Sequence, residues 1–171
     1  MYDHLSPLAQ KLGKHLASEC HDGMPGYFDD GLIEAFPAAT VGELKVALAE
    51  LEADGLVELS SVIGPKLPRV RTTYELFAAA DPGITKQDPR RDAVVLARLL
   101  VENPKLGHVP DLEAQSSWER RRFNPALGLL MPLFRKGRYR EVYQNQYPTL
   151  GVIVTEEEIV ALRRFIRTNV A

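Results

Sequence analysis

The stretch that decides the fold is Thr40-Val-Gly-Glu-Leu-Lys-Val-Ala-Leu-Ala-Glu-Leu-Glu-Ala-Asp-Gly55, continued by Leu56-Val-Glu-Leu59, Gly64-Pro-Lys-Leu-Pro68 and Val70-Arg-Thr-Thr-Tyr-Glu-Leu-Phe77. Thr40 and Glu43 have capping-box spacing, in which hydroxyl and carboxylate satisfy the amides left open at a helix start. Val41, Leu44, Leu48 and Leu51 follow at helical spacing, and Gly55 supplies a left-handed stop. Leu56 to Leu59 alternates like a half-buried strand. Gly64, Pro65 and Pro68 mark a turn, and Val70, Thr72, Tyr74 and Leu76 give a returning strand from Val70 to Phe77.

Upstream, Ser6-Pro7 opens a helix carrying Leu5, Leu8, Leu12 and Leu16, ending near Ser18. Residues 21–30 read as a loop, and Gly31 to Phe36 as a short helix closed by Pro37. Downstream, Asp81-Pro-Gly83 and Asp88-Pro89 place a domain boundary between Ala79 and Pro89. Asp88 caps a helix running to about Glu102, broken by Asn103-Pro104 and Gly107, and Pro110 to Gln115 is a short helix. Ser116-x-x-Glu119 reads as a second capping box for a helix reaching about Leu133, with Pro125 expected to kink it or restart it from Asn124. Tyr139 to Tyr143 and Leu150 to Val154 are expected to pair as a hairpin. Thr155-x-x-Glu158 caps a last helix.

The order helix, helix, helix, strand, strand thus reads twice. It resembles winged helix-turn-helix domains, over about residues 5–77 and more loosely over 88–154. The resemblance implies a mainly α protein with small β-hairpins (α+β): tandem winged-helix domains at 1–83 and 84–171, the second with an extra C-terminal helix. It also implies DNA binding, with the third helix of each domain in the major groove.

The charge is uneven. The net charge of −2 divides into 6 Lys and Arg against 13 Asp and Glu over residues 1–83, and 15 against 10 over 84–171, or −7 and +5. Different partners for the two halves follow. On a helical wheel, the face of residues 41–54 opposite the buried stripe carries Gly42, Glu43, Val46, Ala49, Glu50 and Ala53, with no basic residue. Val46, Ala49 and Ala53 therefore suit a protein contact, through a partner or a second copy. Lys66, Arg69 and Arg71 on the wing could touch phosphates. In the basic half, Arg120, Arg121, Arg122 and Asn124 sit on a helix start, where Arg suits guanine and Asn suits adenine; the alternative is that the three arginines are salt-bridged to Glu119 and Glu113. Arg135, Lys136, Arg138 and Arg140 lead into the second hairpin with Tyr139, Tyr143 and Tyr147 interleaved. Arg163, Arg164 and Arg167 complement the dipole of the last helix.

Two functions compete. One is a DNA-binding transcriptional regulator, a homodimer reading two half-sites of double-stranded DNA. The other is a protein-interaction scaffold resembling accessory subunits of chromosome-organising or defence complexes. An enzyme is not expected. His4, His15, His21 and His108 have no metal-ligand spacing, Cys20-His21-Asp22 cannot converge as a triad, and there is no phosphate-binding glycine loop. No metal or cofactor is expected. A single cysteine, no apolar run of membrane length and no signal-peptide pattern imply a cytoplasmic protein without membrane contact.

Overall fold

A computed structural model describes residues 4–61, 63–139 and 146–169. The chain divides into two compact units. One holds residues up to 21 together with 25–86; the other holds 22–24 and 87 onward.

In the first unit, Ser6 caps helix α1 (Pro7–Glu19) by accepting the Ala9 amide at 3.3 Å, and Pro7 occupies the first helical position. A short strand β1 (Tyr27–Phe28) lies within residues 21–30, where the sequence suggested only loop. Helix α2 (Gly31–Ala35) follows, then α3 (Val41–Ala53). The Thr40 and Glu43 capping box is formed as expected. Leu44, Ala47, Leu48 and Leu51 bury one face of α3 against α1. Gly55, at φ +70°, closes the helix, and the Leu56 amide reaches back to the Leu51 carbonyl at 2.9 Å. Strands β2 (Val57–Ser60) and β3 (Arg69–Thr72) form the hairpin, Glu58 opposite Arg71 and Leu59 opposite Val70. With β1 on the far edge of β3, the sheet order is β1-β3-β2, all antiparallel. This is a helix-and-wing topology.

The return strand is shorter than its alternation suggested. It stops at Thr72, and Tyr74–Ile84 is a helix, α4, capped by the Thr73 hydroxyl. Tyr74 and Leu76 share a strand-like spacing with Val70 and Thr72, but Leu76, Phe77 and Ala80 lie on one helical face and complete the core beside α1. Pro82 sits inside the last turn of α4 rather than ending it, so most of the expected linker is helical.

The second unit is built on α5 (Pro89–Glu102), α6 (Val109–Ser116), α7 (Arg120–Leu130) and α8 (Glu156–Asn169), with α5 against both α7 and α8. Asp88 caps α5 as its sequence implied. Ala93, Leu96, Ala97, Leu100, Phe123, Leu127, Leu130 and Leu162 fill the core. Ser116 does not cap a helix: α6 ends there, Ser117 turns left-handed at φ 57°, and α7 starts after Glu119. Pro125 neither breaks nor restarts α7, which is assigned as one helix across it, and Asn124 is interior rather than a cap. Helix α7 ends at Leu130, and Met131–Leu133 is a 3-10 turn.

Among the described residues the second unit has no wing. Residues 140–143 of the expected first strand lie outside those residues. The expected second strand, Leu150 to Val154, makes bridges instead of a ladder. Gly151 pairs with His108 and Val152 with Tyr139. The Val152 amide donates to the Gly107 carbonyl at 2.8 Å, and the Val109 amide to Leu150 at 3.1 Å. The architecture is therefore predominantly helical with one three-stranded sheet, and no second copy of the helix-and-wing plan is visible.

Candidate functional site

The outer face of α3 is the first candidate surface. Its carboxylates turn sideways into the unit. Glu43 accepts the Thr40 amide and hydroxyl, both at 2.7 Å, and the amide chiefly holds its pKa below the ordinary value. Glu50 accepts the Ser6 amide at 2.8 Å, and Glu52 the Leu59 amide at 3.1 Å. Asp54, at the helix end, meets His4 at 2.5 Å. Between these flanks lies an exposed strip of Gly42, Val46, Ala49 and Ala53, with Val46 61% accessible. Such a strip has no hydrogen-bonding group for a base edge, and a neighbouring helix can approach it closely.

Beside the strip runs the wing. Asp30 anchors its base, accepting the Lys66 amide at 3.0 Å and the Leu67 amide at 2.8 Å, the first of which contributes most to lowering its pKa. Arg71 is spent on its cross-strand neighbour Glu58 at 2.9 Å, and that bond raises its pKa. Lys66 and Arg69 are exposed and form no ion pair among the described residues. Lys45 of α3 is exposed too, and lines a shallow groove with Lys66, Pro65 and Pro68. The wheel's opposite face omitted Lys45 because it sits on the flank; its nearness to the wing turn was not visible in spacing.

In the second unit the candidate cations meet internal partners. Arg122 forks onto Asp92 at 2.8 and 2.6 Å, and its guanidinium lies 4.2 Å from the centre of the Trp118 ring. The hydrogen bonding it donates to Asp92 raises its pKa. Arg120 lies 5.0 Å over the Tyr147 ring and 3.6 Å from Glu113, while Tyr147 donates to Glu113 at 2.5 Å. Arg135 pairs with Glu157 at 2.7 Å, and Arg138 stands 4.0 Å from Glu158. Arg121 is half-buried, Lys136 is exposed, and Arg140 lies outside the described residues.

Asn124 corrects the sequence reading outright. It is fully buried, and its amide nitrogen donates to the carbonyls of Asp22 and Gln146, both at 2.8 Å. A base edge cannot reach it. The structure therefore brings Arg120 and Arg122 into the framework of the second unit and leaves Lys45 and Lys66 on one groove of the first, with Arg69 exposed on β3. Glu113 was an expected partner and does meet Arg120, while Asp92, Trp118 and Tyr147 escaped the sequence reading. Only Trp118 had a local signal, four residues before Arg122.

Among the described residues, no group of three His, Cys, Asp or Glu side chains could hold a metal ion, and no helix is long and apolar enough to cross a membrane. No family model matches the chain, and no curated protein or solved structure matches it either.

Proposed function

We propose that this protein is a non-enzymatic docking module of winged-helix type, whose α3 surface binds another protein rather than the DNA major groove. The observation that carries this reading is the strip of Gly42, Val46, Ala49 and Ala53, in the position where a DNA-reading winged helix presents polar side chains. Small apolar groups flanked by carboxylates oppose a phosphate backbone and favour helix packing. The internal pairing of Arg120, Arg122, Arg135 and Arg138 takes the same direction, since a cation held by a protein carboxylate releases fewer counterions on binding DNA.

The test is site-specific photocrosslinking from position 46 in the cells that make the protein, with position 34 as an exposed control. One protein adduct at 46 and none at 34 is expected, and the purified adduct partner should lose binding to Val46→Glu. Absence of any protein adduct overturns the reading.

A second reading rests on Lys45, Lys66 and Arg69, which are exposed and form no ion pair among the described residues. They suit sequence-independent contact with a DNA backbone, as in an accessory DNA-binding factor or regulator. Three phosphate contacts give a slope of about −2.7 in log K against log salt. Duplex binding with that slope, abolished by reversing the three charges and unaffected by Val46→Glu, would favour DNA over protein.

A further inference from the structure

We infer that the outer face of α8 pairs with the α8 of a second copy of this chain, antiparallel across a two-fold axis at Val160. The inference is independent of the α3 reading.

Helix α8 starts acidic, with Glu156, Glu157 and Glu158, and ends basic, with Arg163, Arg164 and Arg167. Glu158 is buried with the core, but Glu156, Glu157, Arg163, Arg164 and Arg167 are all exposed. Between the two charged ends stands Val160, 64% accessible. Shallow apolar grooves flank it on both sides, one reaching Leu133, Ala161 and Phe165, the other Ile166. Each groove is rimmed by arginine, Arg164 on one and Arg163 and Arg167 on the other.

The sequence of this face is complementary to its own reverse. In an antiparallel pair centred on Val160, residues on the same flank of α8 before and after it meet across the axis. Glu157 and Arg164 share one flank and Arg163 lies on the other, so Glu157 faces Arg164 and Glu156 faces Arg163, each twice by symmetry. At 1.5 Å rise per residue the members of each pair lie about 4.5 and 6 Å from the axis, about one turn away. The two Val160 side chains meet at the centre, and each fills the apolar groove of the other helix. A parallel pair would set glutamate beside glutamate and arginine beside arginine, so the charges select the antiparallel arrangement. Glu157 is already held by Arg135 at 2.7 Å, whereas Glu156 and Arg163 form no ion pair among the described residues and are the cleaner couple. One helix per subunit buries about 1,000 Å² in total, near the lower bound for a specific interface, so the dimer is weak and salt-sensitive.

The test is sedimentation velocity on the full chain at low salt, from roughly 1 µM to 1 mM. The expected result is a mass that rises with concentration from 19.1 kDa toward twice that value. Arg163→Glu alone and Glu156→Arg alone should each weaken association about tenfold or more. The double reversal in one chain restores both contacts and should restore dimerisation. Mixing the two single variants should produce a heterodimer that neither forms alone. Circular dichroism confirms the fold of each variant, and because both positions are exposed it should not change. A chain that stays monomeric throughout overturns the inference. So does a dimer indifferent to both single reversals, which would place self-association elsewhere on the molecule.

Discussion

The bidentate pair of Arg122 and Asp92 should behave as framework, and a double-mutant cycle measures whether it does. The two side chains are unequally exposed: Asp92 is 8% accessible and Arg122 36%. Replacing Arg122 with Ala leaves a buried carboxylate without its fork. Breaking a buried pair from one side costs about 3–5 kcal/mol, and the partial exposure of this pair reduces that to about 2–3 kcal/mol. Replacing Asp92 with Ala leaves a guanidinium that can turn toward water while keeping its contact with Trp118, so the cost is about 1–2 kcal/mol. The double variant has neither orphan and should lose only about 2–2.5 kcal/mol, giving a coupling of about 1–2.5 kcal/mol. Trp118 is the one tryptophan of the chain and lies 4.2 Å from the guanidinium, so its fluorescence reports this unit during urea unfolding. With a slope near 1 kcal/mol per molar for a unit of this size, Arg122→Ala should move the midpoint by about 2–3 M. Additive effects, or single losses below about 0.5 kcal/mol, would refute the structural role and return Arg122 to the pool of cations free to bind a ligand.

Three further outcomes are expected. A Cβ at Gly23 (φ +73°) would lie 2.6 Å from the Pro125 ring, whereas Gly55 (φ +70°) has nothing within 4 Å. Gly55→Ala should cost about 1 kcal/mol for backbone conformation alone, and Gly23→Ala about 2–4 kcal/mol, the excess measuring overpacking in thermal or urea unfolding. The Thr155 hydroxyl bond chiefly holds the Glu158 pKa below its ordinary value of 4.5, so this stability is present at neutral pH and is lost as pH falls below about 4.5 through the folded-state value. Thr155→Val should therefore be less stable than the parent at pH 7 by about 1–2 kcal/mol, with a gap that closes on acidification; a gap constant down to pH 3 would remove Glu158 from the account. Asp30→Ala deprives the Lys66 and Leu67 amides of their acceptor, so hydrogen exchange should accelerate at those two amides while α1 stays protected.

Much of the first unit was legible because its signals are local. Ser6-Pro7, the Thr40 and Glu43 box and Gly55 each satisfy or terminate backbone groups within a few residues, and the hydrophobic spacing of α3 names its buried face. The same locality misled at Tyr74. Val70, Thr72, Tyr74 and Leu76 alternate, and nothing nearby reveals that Thr73 caps a helix whose apolar side packs on α1, residues distant in sequence. Proline was read too strictly as a boundary at Pro82 and as a restart from Asn124 at Pro125, where the surrounding helical packing outweighs one missing backbone bond. The candidate site failed to read through for a related reason. Arg122 looks available in sequence, but its acceptor is 30 residues upstream, and Asn124 turns to carbonyls 102 and 22 residues away. The charge contrast between the halves was countable, yet which cations remain available depends on those distant partners.

Gly107 offers a yardstick for recognising kin. A Cβ there would come 2.1 Å from the Val152 carbonyl oxygen, and the obstacle is main chain rather than a side chain that could swing aside. Any larger residue must therefore push the 150–152 segment off its bridges. In a set of divergent chains, a glycine three residues after an Asn-Pro step and a second glycine about 44 positions later, at the place of Gly151, form a two-point fingerprint of this second unit. A candidate that aligns well elsewhere but carries a side chain at that position belongs to a different arrangement of these helices, however similar its composition.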